Sequence, residues 1–183
     1  MRIAMMLSAA LIALAACGDK AATNTSDAAA PTARAGAAGW NALDACATVG
    51  TDAVARATSQ SVSSSQLGPV KAPENGLAGS SMCTFKLADG ASMSVLTREA
   101  PDDDATPEAI AQVRDGVAGM TGPATAVPGI GQAAFWGDKP PALQVFIDGR
   151  RYATVSVFKT NGLPDASAEA RAAATAIARK LAR

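Results

Sequence analysis

The chain has 183 residues, of which 49% are hydrophobic and only 4% aromatic, and its 16 basic and 16 acidic side chains balance. Without a basic excess, the composition argues against a nucleic-acid-binding protein. The sequence contains no histidine, which excludes catalytic sites built on a histidine base and removes the commonest zinc ligand. We therefore expect a protein that is not an enzyme and that holds no cofactor and no metal.

The first residues have the pattern of a secretory signal. Arg2 precedes an uncharged run from Ile3 to Ala16, which is shorter than the roughly 20 residues of a membrane-spanning helix. The segment Leu14–Cys17 resembles a lipobox, the cleavage motif of bacterial lipoprotein precursors. This resemblance implies that residues 1–16 are removed as a signal peptide and that Cys17 is acylated and attaches the chain to a membrane. The alternative is an ordinary signal peptide that happens to precede a cysteine.

Residues 17–39 are predicted to be a lipid anchor and a flexible tether. No large apolar residue occurs between residues 18 and 39, so burial cannot offset the entropy cost of ordering this segment. Gly18 stands where the sorting rules of bacterial lipoproteins place Asp for retention in the inner membrane. The expected location is therefore the cell envelope, at the outer membrane facing the periplasm. Residues 40–183 are expected to form a single α+β domain.

The first half of this domain predicts a helix and then a hairpin. Apolar side chains at helical spacing predict a broken helix over 41–58, and Ser, Gly and Pro predict a long loop over 59–79. Residues 81–96 alternate in polarity around an Asp-Gly pair. A three-residue loop aligns Phe85 with Met93, two apolar partners, whereas a two-residue turn would align it with a serine. We prefer the three-residue loop.

The second half predicts the remaining helices and strands. They are, in chain order, a helix that begins at Thr106 and ends at Gly119 or Gly122, a Gly-rich turn and short strand over 127–136, a hairpin over 142–159 and a helix over 166–181. In the second hairpin, a loop at 147–149 would place Leu143 opposite Ala153. Together the elements predict a two-layer α+β fold, with an antiparallel sheet of about five strands and helices packed on one face.

Two cysteines remain after Cys17, namely Cys46 and Cys83. Export to an oxidising compartment favours a disulfide between them, which would join the first helix to the first hairpin. The alternative is a pair of free thiols with a redox role, but their spacing is not that of a Cys-x-x-Cys motif. We therefore expect a structural disulfide.

Two short motifs have both a structural and a functional interpretation. Residues 128–131, Pro-Gly-Ile-Gly, are similar to part of a phosphate-binding loop, but a strand rather than a helix is predicted to follow, which favours a structural turn. Residues 102–104 are three successive aspartates, which lack the spaced ligands of a calcium loop. They stand just before a helix, where the helix dipole stabilises negative charge.

Aromatic side chains are the remaining candidates for a ligand site. Trp136 precedes a loop that is polar and rich in Gly and Pro, and Tyr152 lies in the second hairpin. Together with Trp40 they could line a groove for a ligand, and the alternative is that they belong to the core. We take Trp136 and Tyr152 as the candidate ligand-binding residues.

These features together resemble a family of uncharacterised bacterial lipoproteins. The resemblance rests on the lipobox at Leu14–Cys17, the tether at 18–39, the cysteine of Asp44–Cys46, the cysteine of Met82–Phe85 and the turn and strand at Val127–Trp136. It implies a lipid-anchored envelope protein and brings no known activity with it.

The sequence thus predicts a non-catalytic binding or protein-interaction module that is held at a membrane by acylated Cys17. Its partner would be an unidentified ligand or another envelope protein. One alternative is an envelope structural protein without a soluble ligand, and an enzyme is the least favoured alternative.

Overall fold

A seven-stranded antiparallel sheet organises the computed structural model, which describes residues 39–116 and 123–183. Cys17, the signal segment and the tether before residue 39 lie outside the described residues. The strands are β1 (Val62–Leu67), β2 (Gly79–Leu87), β3 (Ser92–Glu99), β4 (Thr125–Ala126), β5 (Ala133–Asp138), β6 (Pro141–Phe146) and β7 (Arg151–Phe158). The helices are α1 (Ala45–Val49), α2 (Thr51–Thr58), α3 (Pro107–Asp115) and α4 (Ala168–Leu181).

The strands lie in the order β1-β2-β3-β7-β6-β5-β4, and every neighbouring pair is antiparallel. The α+β class and the antiparallel sheet are therefore confirmed, but the predicted number of about five strands is wrong. β1 lies in the stretch that was predicted to be a loop. It was not predicted as a strand because its sequence, Val-Ser-Ser-Ser-Gln-Leu, lacks the apolar alternation of a half-buried strand. β4 has only two residues. β1 and β4 are the two edge strands of the sheet, so each pairs with a neighbouring strand on one side only.

The sequence predicted that all helices pack on one face of the sheet, and this prediction is wrong. Helices α1, α2 and α4 cover one face, where a large core includes Phe85, Met93 and Leu143 of the strands. Helix α3 lies on the opposite face, and its Ile110 packs on a smaller cluster that contains Phe135. The second hairpin is apolar on both faces, so a helix on one face alone would leave aromatic side chains in water.

The first hairpin has the register that the three-residue loop predicts. Phe85 pairs with Met93 and Cys83 pairs with Val95, with all four side chains buried. Cys83 is bonded to Cys46 across 37 positions of sequence, so the predicted disulfide is confirmed and it ties α1 to the middle of β2. Because apolar partners share the covered face in this register, burial selects it over the alternative.

The register predicted for the second hairpin is wrong by two residues. Leu143 pairs with Val155 instead of Ala153, and the turn is formed by residues 148–150 rather than 147–149. Asp148 accounts for the difference, since its Oδ1 accepts hydrogen bonds from the main-chain N–H groups of the two residues after Gly149, at 3.0 and 2.8 Å. Such side-chain-to-backbone bonds stabilise a turn that begins at an aspartate.

The helix boundaries follow from their caps. Gly50, with a φ of 74°, separates α1 from α2 and produces the predicted break. Helix α3 begins after Thr106, whose Oγ1 accepts the N–H of Ala109, and it ends at Asp115, before the predicted glycines, because Gly116 is already in a positive-φ conformation. None of the helices in residues 39–116 and 123–183 is long and apolar enough to cross a membrane.

Candidate functional site

Trp136 lies in the main core, on the face of the sheet that carries three helices. Its side chain is only 2% exposed, and its indole Nε1 donates a hydrogen bond of 2.9 Å to Oδ1 of Asp138. The guanidinium carbon of Arg171, from α4, lies 5.8 Å from the centre of the indole ring. The polar atom of this side chain therefore already has a partner within the protein.

Tyr152 lies on the opposite face of the sheet from Trp136. Its hydroxyl donates to Oε1 of Gln144 at 2.7 Å and accepts from Oγ1 of Thr154 at 3.3 Å, and burial raises the pKa of this hydroxyl. Its ring packs edge-on against Phe146, with the ring centroids 5.1 Å apart. The structure therefore does not bring the two candidate residues to one groove, and their role in ligand binding stays a prediction.

The three aspartates at 102–104 contact separate partners. Asp104 forms an ion pair with Arg98 of β3, and the carboxyl group of Asp103 lies against Gly149 in the second hairpin. Within the two described ranges, no group of three or more Cys, Asp or Glu side chains is placed to hold a metal ion. The Pro-Gly-Ile-Gly turn leads into β5, so its amide groups do not open a helix.

A pair of adjoining depressions lies beside α2 and α4. One has a volume of about 430 Å³ and the other about 270 Å³, and both are lined by Lys180 and Arg183. Arg56 of α2 contributes to the larger depression, and Arg151 of β7 contributes to the smaller one. We call the two depressions together the basic groove.

The basic groove is lined by four cationic side chains and by no acidic one. Across the described residues, Asp148 is the only acid within 4.0 Å of any of these four cations, and it pairs with Arg151 at 2.7 Å. Lys180 Nζ donates to the main-chain carbonyl of Thr48 at 2.7 Å. Burial lowers the pKa of Lys180, and the positive charge of Arg56 lowers it further. Like charges are thus held close together here.

Trp40 lines the smaller depression and has a buried polar atom without a partner among the described residues. Its side chain is 3% exposed, and its indole Nε1 is buried without a hydrogen-bond partner among the described residues. Buried donors almost always have a partner, so this unsatisfied donor is an exception among the described residues. The guanidinium carbon of Arg151 lies 5.5 Å from the centre of this indole ring, so a cation covers it.

Sequence reasoning missed this groove. Its cations come from α2, from β7 and from the end of α4, which the sheet topology brings together across more than half of the chain. The three-residue spacing of Lys180 and Arg183 places both on one side of a helix end, where the helix dipole alone favours positive charge. No local pattern marks the other two cations.

Comparison with protein-family models, with curated proteins and with solved structures finds no match for this chain. The function must therefore be inferred from the groove and from the sequence features that precede the domain.

Proposed function

We propose that this protein is an envelope lipoprotein whose domain binds an anionic ligand without converting it chemically. The observation that supports this function is the basic groove, in which four cations from three separate elements line adjoining depressions without any acid. Side chains of one sign in a concave surface raise the local concentration of ligands with the opposite charge. The volumes of the depressions suit a small molecule or the head group of a larger one.

The proposed location in the cell rests on the sequence that precedes the domain. The lipobox at Leu14–Cys17, the tether at 18–39 and the resemblance to bacterial lipoproteins support acylation of Cys17. Gly18 supports the outer membrane, with the domain in the periplasm. The anchor would hold the basic groove within a tether's reach of the membrane surface, which for 22 flexible residues (18–39) is roughly 25 Å on average.

The anchoring proposal predicts the behaviour of Cys17→Ala. In the native host, the mature wild-type protein should begin at an acylated Cys17 and sediment with membranes, because its acyl chains supply the attachment. The variant should lack the acyl mass and leave the membrane fraction, as measured by mass spectrometry of fractionated cells. The matched control is Cys46→Ala/Cys83→Ala, which removes two other cysteines and should stay acylated. Wild-type protein without acyl chains would contradict the anchor.

The binding proposal predicts which compounds stabilise the domain. With the full chain in a non-ionic detergent, anionic envelope metabolites at about 100 times their dissociation constant should raise the melting temperature by roughly 5–10 °C. Neutral analogues of the same size should not, because they lack the charge that the groove recognises. A complete lack of response to anions would contradict this function and favour the alternative, an envelope structural protein without a soluble ligand.

A further inference from the structure

The larger depression of the basic groove combines positive charge with an apolar floor. Between α2 and α4 its lining consists of Ala53, Ala57, Ala176 and Ile177 in addition to the cations. A small inorganic anion would contact only the charged side chains and leave Ala57 and Ala176, the two more exposed residues of this floor, in water. A ligand that carries an anionic group at one end and an aliphatic chain at the other would cover both.

The cations of the groove are more numerous than the fold itself requires. The ends of α2 and α4 favour positive charge in their last turns, which accounts for Arg56 and Lys180. The helix ends do not account for Arg151, which comes from β7 and lies over the Trp40 ring. Of the four positive charges, Asp148 balances that of Arg151, so three have no acidic partner within 4.0 Å among the described residues.

The donors of the groove suit a phosphate group. Arginine offers parallel N–H groups that match two phosphate oxygens, and Lys180 adds a compact charge at the place where the two depressions meet. A phosphate ester has several acceptor oxygens, so it can take hydrogen bonds from more than one of these groups at once.

Building on the proposed function, we propose that the basic groove binds the phosphate group of an anionic phospholipid, with the start of an acyl chain on the apolar floor between α2 and α4. The phosphate would lie near Lys180 and Arg183, which line both depressions. The four floor residues are small or aliphatic, so they leave room for a hydrocarbon chain beside the cations.

The test is a titration of the full chain in a non-ionic detergent, followed by intrinsic tryptophan fluorescence. The probes are dihexanoylphosphatidylglycerol, the zwitterionic dihexanoylphosphatidylcholine with the same chains, and inorganic phosphate. Both lipids are diluted by the micelles in the same way. We expect saturable binding of the phosphatidylglycerol, about tenfold tighter than that of either other probe, and weaker binding as NaCl is added.

Charge variants locate the site. Arg183→Gln should weaken phosphatidylglycerol binding by about tenfold, whereas Arg179→Gln should change it by less than about twofold. Arg179 is the matched control, because it is an exposed arginine of the same helix end but does not line the groove. Ala176→Glu, which places an acid on the floor, should also weaken binding, whereas Ala172→Glu one turn earlier should not. Unchanged melting temperatures would exclude misfolding as the cause.

Several outcomes overturn this inference. They are equal binding of the two lipids, inorganic phosphate binding as tightly as the phosphatidylglycerol, no saturable binding at all, and Arg183→Gln within about twofold of wild type. If an anion without phosphorus, such as a dicarboxylate, binds in a manner that depends on Arg183 and the phosphatidylglycerol does not bind, the inference fails and the proposed function stands. If no anion binds, both fail.

Discussion

Removal of the disulfide with Cys46→Ser/Cys83→Ser is expected to lower the melting temperature by about 10–15 °C. The bridge spans 37 positions of sequence, and closing a loop of that length in the unfolded chain stabilises the folded state by roughly 4 kcal/mol. In a domain of this size each kcal/mol corresponds to about 3–4 °C. Differential scanning calorimetry of the oxidised wild type and the variant measures the difference.

The matched control for this effect is Cys17→Ala, which removes a cysteine that lies before the domain and should leave the melting temperature unchanged. Cys46 and Cys83 are joined in the disulfide, and Cys83 is also completely buried, so iodoacetamide should label neither in the native protein without a reductant. A double variant that melts within about 1 °C of the wild type would show that the bridge does not stabilise the fold.

Gly131→Ala is expected to lower the free energy of unfolding by about 3–5 kcal/mol, because two costs combine. Gly131 has a φ of 55°, a conformation that strains any residue with a Cβ. A Cβ there would also overlap the main-chain carbonyl oxygen of Phe146 and lie 2.9 Å from Cα of Ile147. The backbone at Phe146 cannot move aside without losing a hydrogen bond, since the main-chain N–H of Gln132 donates to that same carbonyl oxygen at 2.8 Å.

The variant Gly129→Ala separates the cost of backbone strain from the cost of steric overlap. Gly129 has a φ of 75° but no atom within 4 Å of a built Cβ, so only the backbone strain of about 1–2 kcal/mol applies. Urea unfolding of both variants measures the free energies. If they lose the same stability, the close approach of the turn to the end of β6 does not matter and the packing of this turn has been misinterpreted.

The elements that could be predicted from the sequence are those with a local pattern. Apolar alternation defined the first hairpin, and its register followed because only one alignment buries both Phe85 and Met93. The last helix was predicted because small and aliphatic side chains recur along it at helical spacing. The disulfide followed from the number of cysteines and the expected compartment.

The elements that could not be predicted depend on tertiary context. β1 has polar, exposed side chains and exists because its backbone pairs with β2. The position of α3 could not be deduced from its own sequence, because its face of the sheet is chosen by aromatic residues of β5 and β6. In the second hairpin, two hydrogen bonds to Asp148 moved the turn by one residue, and the strands after it by two in register.

The candidate site depends on tertiary context even more than these elements do, so less of it could be predicted from the sequence. The aromatic residues selected from the sequence lie on opposite faces of the sheet, because strand neighbours alternate in direction. The basic groove needs three elements to meet, and a cation on an isolated helix or strand has no feature that distinguishes it from an ordinary solvated side chain. Trp40 was considered as a ligand-lining residue, but only the structure reveals that its Nε1 lacks a partner among the described residues.

The indole N–H resonances of the two tryptophans offer the most direct measurement of whether the basic groove binds an anion. In the full chain labelled with ¹⁵N, we predict that dihexanoylphosphatidylglycerol shifts the Trp40 indole signal saturably, because Trp40 lines the smaller depression and its ring lies beneath Arg151. The Trp136 signal should stay in place, since its donor is bonded to Asp138 and the residue lines neither depression. Inorganic phosphate, titrated in parallel, tests whether charge alone suffices. A shift of the Trp136 signal while that of Trp40 remains unchanged would contradict the proposed site.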